Sequence, residues 1–253
     1  MQYRTFGNTG ISLSALGFGS MRLPMTADGQ HVDEEKAIPA LQRAYELGVN
    51  YFDTAPYYCE KESEIVVGKA IKAWRHQIYL STKNDVENAS GADWRGRLET
   101  SLRKLDVDYV DFYHMWGISW QDYVEKIDTP NGPLTEARRA RDEGLIRHVS
   151  FSFHDKPDAL LRLIETGHFA SMNVQYNLLD RANEAGISCA SERGMGVVIM
   201  GPVGGGRLAG FSPEINRLIH GGAKSTSALA LRFVLANPGV GVALSGMSSV
   251  QMV

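Results

Sequence analysis

Short apolar segments alternate with longer amphipathic segments along nearly the whole chain. The short segments have the length and the β-branched or aromatic content that buried strands require. They lie at residues 15–19, 50–54, 78–82, 109–114, 147–153, 172–177, 196–201 and 240–246. Strands that alternate with helices are expected to pair in parallel, because each crossover needs room for a helix.

The segments between these strands carry the signals that begin and end helices. Asp33 is a plausible N-cap for the first helix, and Gly48 is placed to stop it. The apolar positions of that helix follow a spacing of about 3.6 residues and are Ala37, Ile38, Leu41, Ala44 and Tyr45. Asp155 followed by Pro157 predicts the start of another helix, and Ser225 predicts the start of a third.

Eight strands of this kind favour an α/β fold of the (β/α)8, or TIM barrel, type over an open doubly wound sheet. An open sheet would be expected to carry a longer glycine-rich turn after its first strand than the short match at residues 17–20. Before the first barrel strand, the turn Gly7-Asn8-Thr9-Gly10 predicts an N-terminal β-hairpin that plugs the barrel floor. The pattern shows no linker, so residues 1–253 are expected to form a single barrel domain.

The last residues, 248–253, fall where an eighth helix should only be starting. A barrel in which that final helix is missing would expose apolar surface on its first and last strands. We therefore expect that the chain is truncated, or that natural residues continue beyond Val253.

The composition argues against several functional classes. A formal net charge of −3 gives no basic face for a nucleic-acid partner. No apolar run approaches the roughly 20 residues that span a membrane, and the N-terminal residues lack the apolar core of a secretory signal. The two cysteines, Cys59 and Cys189, cannot build a disulfide framework. Five scattered histidines lack metal-ligand spacing, namely His31, His76, His148, His168 and His220. We expect a cytoplasmic protein without a metal site.

Four polar side chains follow the predicted strands at the barrel end where catalytic groups cluster. Asp53 lies at the end of the second strand and Tyr58 follows it, Lys83 follows the third strand, and His114 ends the fourth. Each alone has a structural explanation, such as a helix cap or a solvated charge, but their joint placement on consecutive strand ends favours a catalytic group.

The combination suits the reduction of a carbonyl. Hydride addition creates an alkoxide, which needs a proton donor and a positive potential nearby. A tyrosine, with an ordinary pKa near ~10, holds its proton tightly, and an adjacent ammonium is predicted to lower that pKa. A buried Lys83 would in turn need Asp53 to stay charged, while His114 is predicted to orient the carbonyl oxygen.

These segments resemble the aldo-keto reductase family. The similarity rests on Asp53-Thr54-Ala55-Pro56-Tyr57-Tyr58, on Ser63-Glu64, on Ser81-Thr82-Lys83 and on residues 108–114, and it extends over essentially the full chain. The resemblance implies an NAD(P)H-dependent oxidoreductase that reduces an aldehyde or ketone, sugar-like compounds included. It assigns Tyr58 as the acid and leaves Tyr57 to line the substrate pocket.

The same resemblance implies the cofactor site. Gly19, Ser20, Met21 and Asp53 would lie at the nicotinamide end, Ser152 and Gln175 would hold the carboxamide, and Met200 would replace the usual stacked aromatic ring. The remaining implied contacts are Gly201, Pro202, Val203, Gly204, Gly205 and Leu208 around the pyrophosphate, and Ser245, Gly246, Met247 and Ser248 beyond it. NADPH is the expected cofactor, but Ser248 falls where many NADPH-preferring relatives have a basic residue for the 2′-phosphate, which keeps NADH as the alternative.

Some positions depart from the family pattern. Residues 149–155 most resemble a bacterial branch whose longer members append a ferredoxin-like iron–sulfur domain, which is absent from this sequence. Cys59 stands where many relatives have glycine, and a small residue tolerated by the loop is favoured over a redox role. Trp116 and Trp120 are interpreted either as pocket walls or as loop anchors, with a slight preference for the pocket.

Two other functions compete with carbonyl reduction. The chain could be a regulatory subunit that binds a nicotinamide nucleotide but turns over too slowly to matter. A metal-dependent barrel hydrolase is the third interpretation, and the lack of a rim cluster of histidines and carboxylates counts against it. The expected partner is a small carbonyl or alcohol, with neither nucleic acid nor membrane involved.

Overall fold

The computed structural model describes residues 1–87, 89–210 and 225–253. The chain begins with an antiparallel hairpin of β1 (Tyr3–Thr5) and β2 (Ser12–Ser14), as predicted. Phe6, in the turn of that hairpin, is fully buried and meets Phe112 edge-on, with ring centroids 5.3 Å apart. A Cβ added at Gly196 would lie 2.4 Å from the Phe6 ring, so the hairpin closes the barrel floor tightly.

Eight parallel strands follow and form a closed barrel, which confirms the predicted fold. They are β3 (Leu16–Gly19), β4 (Tyr51–Asp53), β5 (Tyr79–Asn84), β6 (Val110–Ile118), β7 (Ile146–Phe153), β8 (Ser171–Gln175), β9 (Gly196–Met200) and β10 (Val242–Ser245). Pairing of β10 with β3 closes the barrel. Strand β6 continues beyond its predicted end at His114, because it stays paired with β7 across a register shift between Met115 and Ile118.

Helices separate most of the strands. They are α1 (Glu34–Glu46), α2 (Ser63–Ile71), α3 (Gly91–Leu105), the short α4 (Trp120–Asp122), α5 (Pro133–Asp142), α6 (Pro157–Glu165), α7 (Glu184–Glu192) and α8 (Thr226–Ala236). Asp33 caps α1 and Ser225 caps α8 through their side chains, as predicted. The N-cap of α6 is Lys156 and not Asp155, whose carboxylate accepts from the adjacent Lys156 N–H and from the Trp120 N–H.

Apolar packing lies on both sides of the barrel wall. Inside it, Tyr51, Phe112, Val198 and Val242 pack with Phe6, and the larger core lies between the strands and the surrounding helices. Across the three described ranges, no helix has both the length and the apolar character needed to cross a membrane. The rigid barrel therefore fixes the ends of its strands, and the side chains that follow them, at one rim.

Candidate active site

A buried ion pair joins the ends of β4 and β5, as predicted. Lys83 Nζ lies 2.6 Å from Asp53 Oδ2 and also donates to the carbonyl oxygen of Thr54 at 2.8 Å. Both charged side chains are at most 5% exposed. Ser81, which the sequence interpretation missed, donates to the other Asp53 oxygen at 2.6 Å. The sequence did contain a signal for Ser81, because it precedes Lys83 by two residues, and residues two apart on a strand point to the same side.

The Lys83 ammonium also faces Tyr58, with Nζ 4.9 Å from the centroid of the phenol ring. Burial lowers the pKa of Lys83, but Asp53 and Tyr58 outweigh it, and the net pKa lies above the ordinary value. The ammonium therefore stays charged at neutral pH, next to the phenol.

The pKa of Tyr58 corrects one prediction. Burial raises this pKa and Lys83 opposes the rise without cancelling it, so the net pKa is higher than for a free tyrosine. The predicted net lowering is wrong because a largely buried phenolate loses more hydration than one neighbouring cation returns. The consequence is that Tyr58 keeps its proton near neutral pH, as a proton donor must.

His114 lies opposite Lys83 in the pairing of β5 with β6 and is fully buried. Neither ring nitrogen has a hydrogen-bond partner among the described residues, and the backbone at Phe151 has only a small effect on its pKa. Burial, followed by the charge of Lys83, lowers the pKa of His114 to about 4. The imidazole is therefore neutral at pH 7, with a donor and an acceptor available for a ligand.

Trp116 and Trp120, which received the same interpretation from the sequence, have different surroundings. Trp116 stacks on Tyr57 with centroids 5.6 Å apart and meets Tyr58 edge-on at 5.8 Å. Trp120 instead stacks on Tyr123 and carries the Arg162 guanidinium 4.1 Å above its ring. Trp116 is therefore next to the catalytic candidates, whereas Trp120 anchors the segment after β6.

The nicotinamide-side candidates lie at the ends of β3 and β7. Gly19 pairs with Asp53 across β3 and β4. Ser20 is buried with a hydroxyl that lacks a partner in the described structure, and Met21 is 59% exposed. The hydroxyl oxygen of buried Ser152 accepts the Gly117 N–H at 2.8 Å, which leaves its own proton to donate. The Ser20 and Ser152 hydroxyl groups therefore have hydrogen-bonding capacity that an amide-bearing ligand would satisfy.

The segment after β9 has a backbone that only glycine adopts easily. Gly201, Gly204, Gly205 and Gly206 all have positive φ, between 61° and 100°. A Cβ added at Gly201 would lie 2.6 Å from the Gln175 side-chain oxygen, so the two candidates are in contact, while nothing lies within 4 Å of one added at Gly205 or Gly206. Asn177, which the sequence interpretation also missed, donates to the Gly201 carbonyl oxygen at 3.0 Å. The loop is thus fixed at Gly201 by hydrogen bonding, whereas no other group packs against Gly205 and Gly206 among the described residues.

The remaining cofactor candidates differ in exposure. Met200, Gly201, Val203, Ser245 and Ser248 are partly exposed, Gly246 is exposed, and Pro202, Gly204, Leu208 and Met247 are buried. Met247 packs in the main apolar core, so its main chain is the part left to meet a ligand. A Cβ on Gly246 would lie 3.8 Å from the Gly19 carbonyl oxygen, which puts the ends of β10 and β3 side by side.

No group of three His, Cys, Asp or Glu side chains suited to a metal ion occurs within residues 1–87, 89–210 and 225–253. His220 lies outside these ranges. Cys59 is a free thiol whose pKa is raised by burial, and its sulfur contacts the carbonyl oxygen of Met21 at 3.4 Å. A raised pKa is the opposite of what a reactive cysteine needs.

Comparison with known proteins agrees with this geometry. An oxidoreductase of Bacillus subtilis, itself uncharacterized, is 29% identical over 82% of this chain. The aligned segments span 67% and 60% of the lengths of two curated relatives. The holo form of an aldo-keto reductase from Bacillus halodurans superposes with a TM-score of 0.84 at 29% identity, covering 99% of this chain and 88% of that one.

A second solved structure is an aldo/keto reductase from Klebsiella pneumoniae in complex with NADP and acetate. It gives a TM-score of 0.77 at 26% identity and covers 97% of this chain and 85% of its own. The model of the aldo/keto reductase family matches residues 15–253, nearly the whole chain. The chain therefore belongs to the aldo/keto reductase family of oxidoreductases.

Proposed function

We propose that the chain reduces an aldehyde or ketone with NADPH, with NADH as the alternative, and that Tyr58 donates the proton. The observation that carries this proposal is the Lys83 ammonium, which contacts the Asp53 carboxylate at 2.6 Å on one side and faces the Tyr58 ring at 4.9 Å on the other. A solved relative in complex with NADP supports the choice of cofactor.

The residues around the rim fit a nicotinamide dinucleotide. Ser20, with its unpartnered buried hydroxyl, together with Ser152 and Gln175, would hold the carboxamide end. The backbone at Gly204 and Gly205 is left-handed, and nothing lies within 4 Å of a Cβ added at Gly205, so its N–H would approach the phosphates without steric cost. When bound, the dinucleotide supplies the hydride for the carbonyl carbon.

Side chains of the protein then bind the carbonyl oxygen of the substrate and protonate it. His114, neutral because its pKa is about 4, donates a hydrogen bond to the carbonyl oxygen. As negative charge develops on that oxygen, Tyr58 transfers its proton to it. The phenolate left behind is stabilised by Lys83, and Asp53 keeps Lys83 protonated through the cycle.

Replacing Tyr58 by phenylalanine tests the proton-donor assignment. We expect Tyr58→Phe to lower kcat about 10²- to 10⁴-fold, the usual contribution of general acid catalysis. The ring and the cofactor contacts remain, so nucleotide affinity, measured by quenching of nicotinamide fluorescence, should stay within a factor of about two. Tyr3→Phe is the control, because its hydroxyl bonds the Gly48 carbonyl oxygen in the N-terminal part of the chain.

Two results would contradict the proposal in different ways. If Tyr58→Phe reduced an aldehyde panel at the parent rate, Tyr58 would not be the proton donor. If the parent bound NADPH yet oxidised it with none of the carbonyl compounds, the regulatory-subunit interpretation would replace the enzyme.

A further inference from the structure

Tyr57 is held in place by two contacts although half of it faces solvent. The residue is 51% exposed. Its ring stacks on Trp116 at 5.6 Å, with an angle of 22° between the planes, and its hydroxyl donates to Asp85 Oδ2 at 2.8 Å. A long, exposed aromatic side chain normally samples several rotamers, so these contacts select one orientation.

Asp85 is itself fixed by the end of β5. Arg97 of α3 donates to the Asp85 carbonyl oxygen at 3.2 Å and lies 3.5 Å from its carboxylate. The same guanidinium donates to the buried Asn84 side chain at 2.7 Å, directly after Lys83 in the chain. Asn84 in turn donates to the Trp94 carbonyl oxygen. The acceptor for Tyr57 is therefore part of the rigid strand end that carries the catalytic lysine.

The held ring completes an aromatic surface beside the proposed acid. Trp116 meets the Tyr58 ring edge-on at 5.8 Å, with 90° between the planes. Tyr57 and Trp116 thus form a fixed wall that begins next to the Tyr58 phenol, and we call these two residues the aromatic wall. Flat apolar groups stack on such surfaces with a gain beyond simple burial.

We infer that Asp85 is a positioning residue that preorganises the aromatic wall for carbonyl substrates with a flat aromatic substituent. This inference rests on the proposed function for the carbonyl itself. The aryl ring would stack on the wall while its aldehyde reaches Tyr58 and His114. Without the Tyr57–Asp85 hydrogen bond, substrate binding would have to order the ring, and affinity for flat substrates would fall.

Steady-state kinetics with benzaldehyde and propanal as probes test the inference. We expect Tyr57→Phe and Asp85→Ala to raise KM for benzaldehyde about threefold to tenfold, the equivalent of one net hydrogen bond. The value of kcat should change less than about twofold, and KM for propanal should be unchanged, because propanal has no ring to stack. Asp85→Asn keeps an acceptor oxygen and should restore most of the benzaldehyde KM.

Tyr45→Phe is the matched control. Tyr45, in α1, stacks on Trp74 at 4.3 Å and donates to the Gln77 side-chain oxygen at 2.7 Å, so the substitution removes a tyrosine hydroxyl hydrogen bond from another stacked aromatic pair. It should leave both KM values unchanged. If Tyr57→Phe raises KM equally for both aldehydes, or for neither, the inference is overturned.

A binding measurement separates this inference from the proposed function. Benzoate and acetate do not react, so their dissociation constants, measured by calorimetry with NADP⁺ present, do not depend on turnover. We expect Tyr57→Phe to weaken benzoate binding about threefold to tenfold and to leave acetate binding unchanged. Should the parent reduce neither aldehyde, the proposed function fails. Even then, weaker benzoate binding by Tyr57→Phe than by the parent would support the role of the aromatic wall. Equal benzoate binding by the two proteins would overturn it.

Discussion

Each end of the barrel carries a buried aspartate paired with a cation and a histidine nearby, but the cation is lysine at one end and arginine at the other. At the rim with the proposed active site, Asp53 pairs with Lys83 at 2.6 Å, and the neutral His114 lies close by. At the opposite end, Asp111 pairs with Arg75 at 2.8 Å, and both side chains are at most 12% exposed. His148 lies near that second pair, stacked on Phe112 at 4.9 Å, and burial lowers the pKa of its imidazole too.

The difference lies in what the cation does with its remaining donors. Arg75 donates to the carbonyl oxygens of Ile78 and Tyr109 and lies 4.4 Å above the Tyr109 ring. Its contacts tie the segment before β5 to the strand pair β5 and β6. Lys83 uses two donors on Asp53 and Thr54 and directs its charge at the Tyr58 phenol, a group that can release a proton.

A buried ion pair is therefore not by itself a sign of catalysis in this chain. Both pairs are buried, and both aspartates lie near a strand terminus, Asp53 as the last residue of β4 and Asp111 as the second residue of β6. The rim pair differs in its surroundings, because it faces a titratable phenol and an imidazole that has no partner among the described residues. At the other end, backbone carbonyls occupy the corresponding directions, and the pair holds the structure together.

The largest expected effect comes from breaking the rim pair. Lys83→Met should lower kcat at least about 10³-fold, because the Tyr58 phenolate loses its stabilising charge. It should also lower the free energy of unfolding by about 3 kcal/mol, because Asp53 is left buried without its partner. Stopped-flow reduction and urea unfolding measure the two quantities separately.

A double substitution isolates the two effects. Asp53→Asn combined with Lys83→Met removes both charges, so we expect the stability to recover partly while turnover stays lost. Recovery of turnover together with stability would mean that the rim pair is as purely structural as the pair at the other end.

Breaking the pair at the opposite end should have the reverse profile. Arg75→Met should lower the free energy of unfolding by about 3 kcal/mol, because Asp111 stays buried and two carbonyl oxygens lose their donor. The kcat of the folded enzyme at 25 °C should change less than about twofold. A loss of kcat comparable to that of Lys83→Met would refute the division of roles.

The smallest effect concerns the two histidines and pH. The pKa of His114 is about 4 in the folded chain against an ordinary value of 6.5, so protons bind the unfolded chain first as the pH falls below 6.5. The free energy of unfolding therefore falls as the pH decreases from 6.5 to 4, because only the unfolded chain gains a proton at His114 in this range. At pH 5.5 the loss is about 1 kcal/mol, and His114→Asn should abolish it.

His148 provides the control for that measurement. Its pKa is also lowered, so His148→Asn should reduce the acid sensitivity of unfolding in the same direction. Of these two substitutions, His114→Asn alone should also reduce kcat/KM, because His114 lies beside Lys83 at the rim, whereas His148 lies at the opposite end of the barrel. Equal kinetic effects from both substitutions would remove His114 from the proposed mechanism.

Much of the fold follows from local patterns. The alternation of apolar runs with amphipathic segments indicated the eight strands, and Asp33 and Ser225 indicated two helix starts that their side chains do cap. Where the expectation missed, the cause was tertiary. β6 runs past His114 because β7 continues to pair with it, which no single-strand pattern contains.

The sequence by itself determined the barrel and the identities of Asp53, Tyr58, Lys83 and His114 at its rim, since strand period and strand order decide which residues end where. Only the tertiary structure decided that Tyr58 keeps its proton, that Trp116 and not Trp120 joins the site, and that Asp85 holds Tyr57. The physical reason is range. Periodicity and capping act over a few residues, whereas desolvation and side-chain contacts depend on groups that folding brings together from distant parts of the chain.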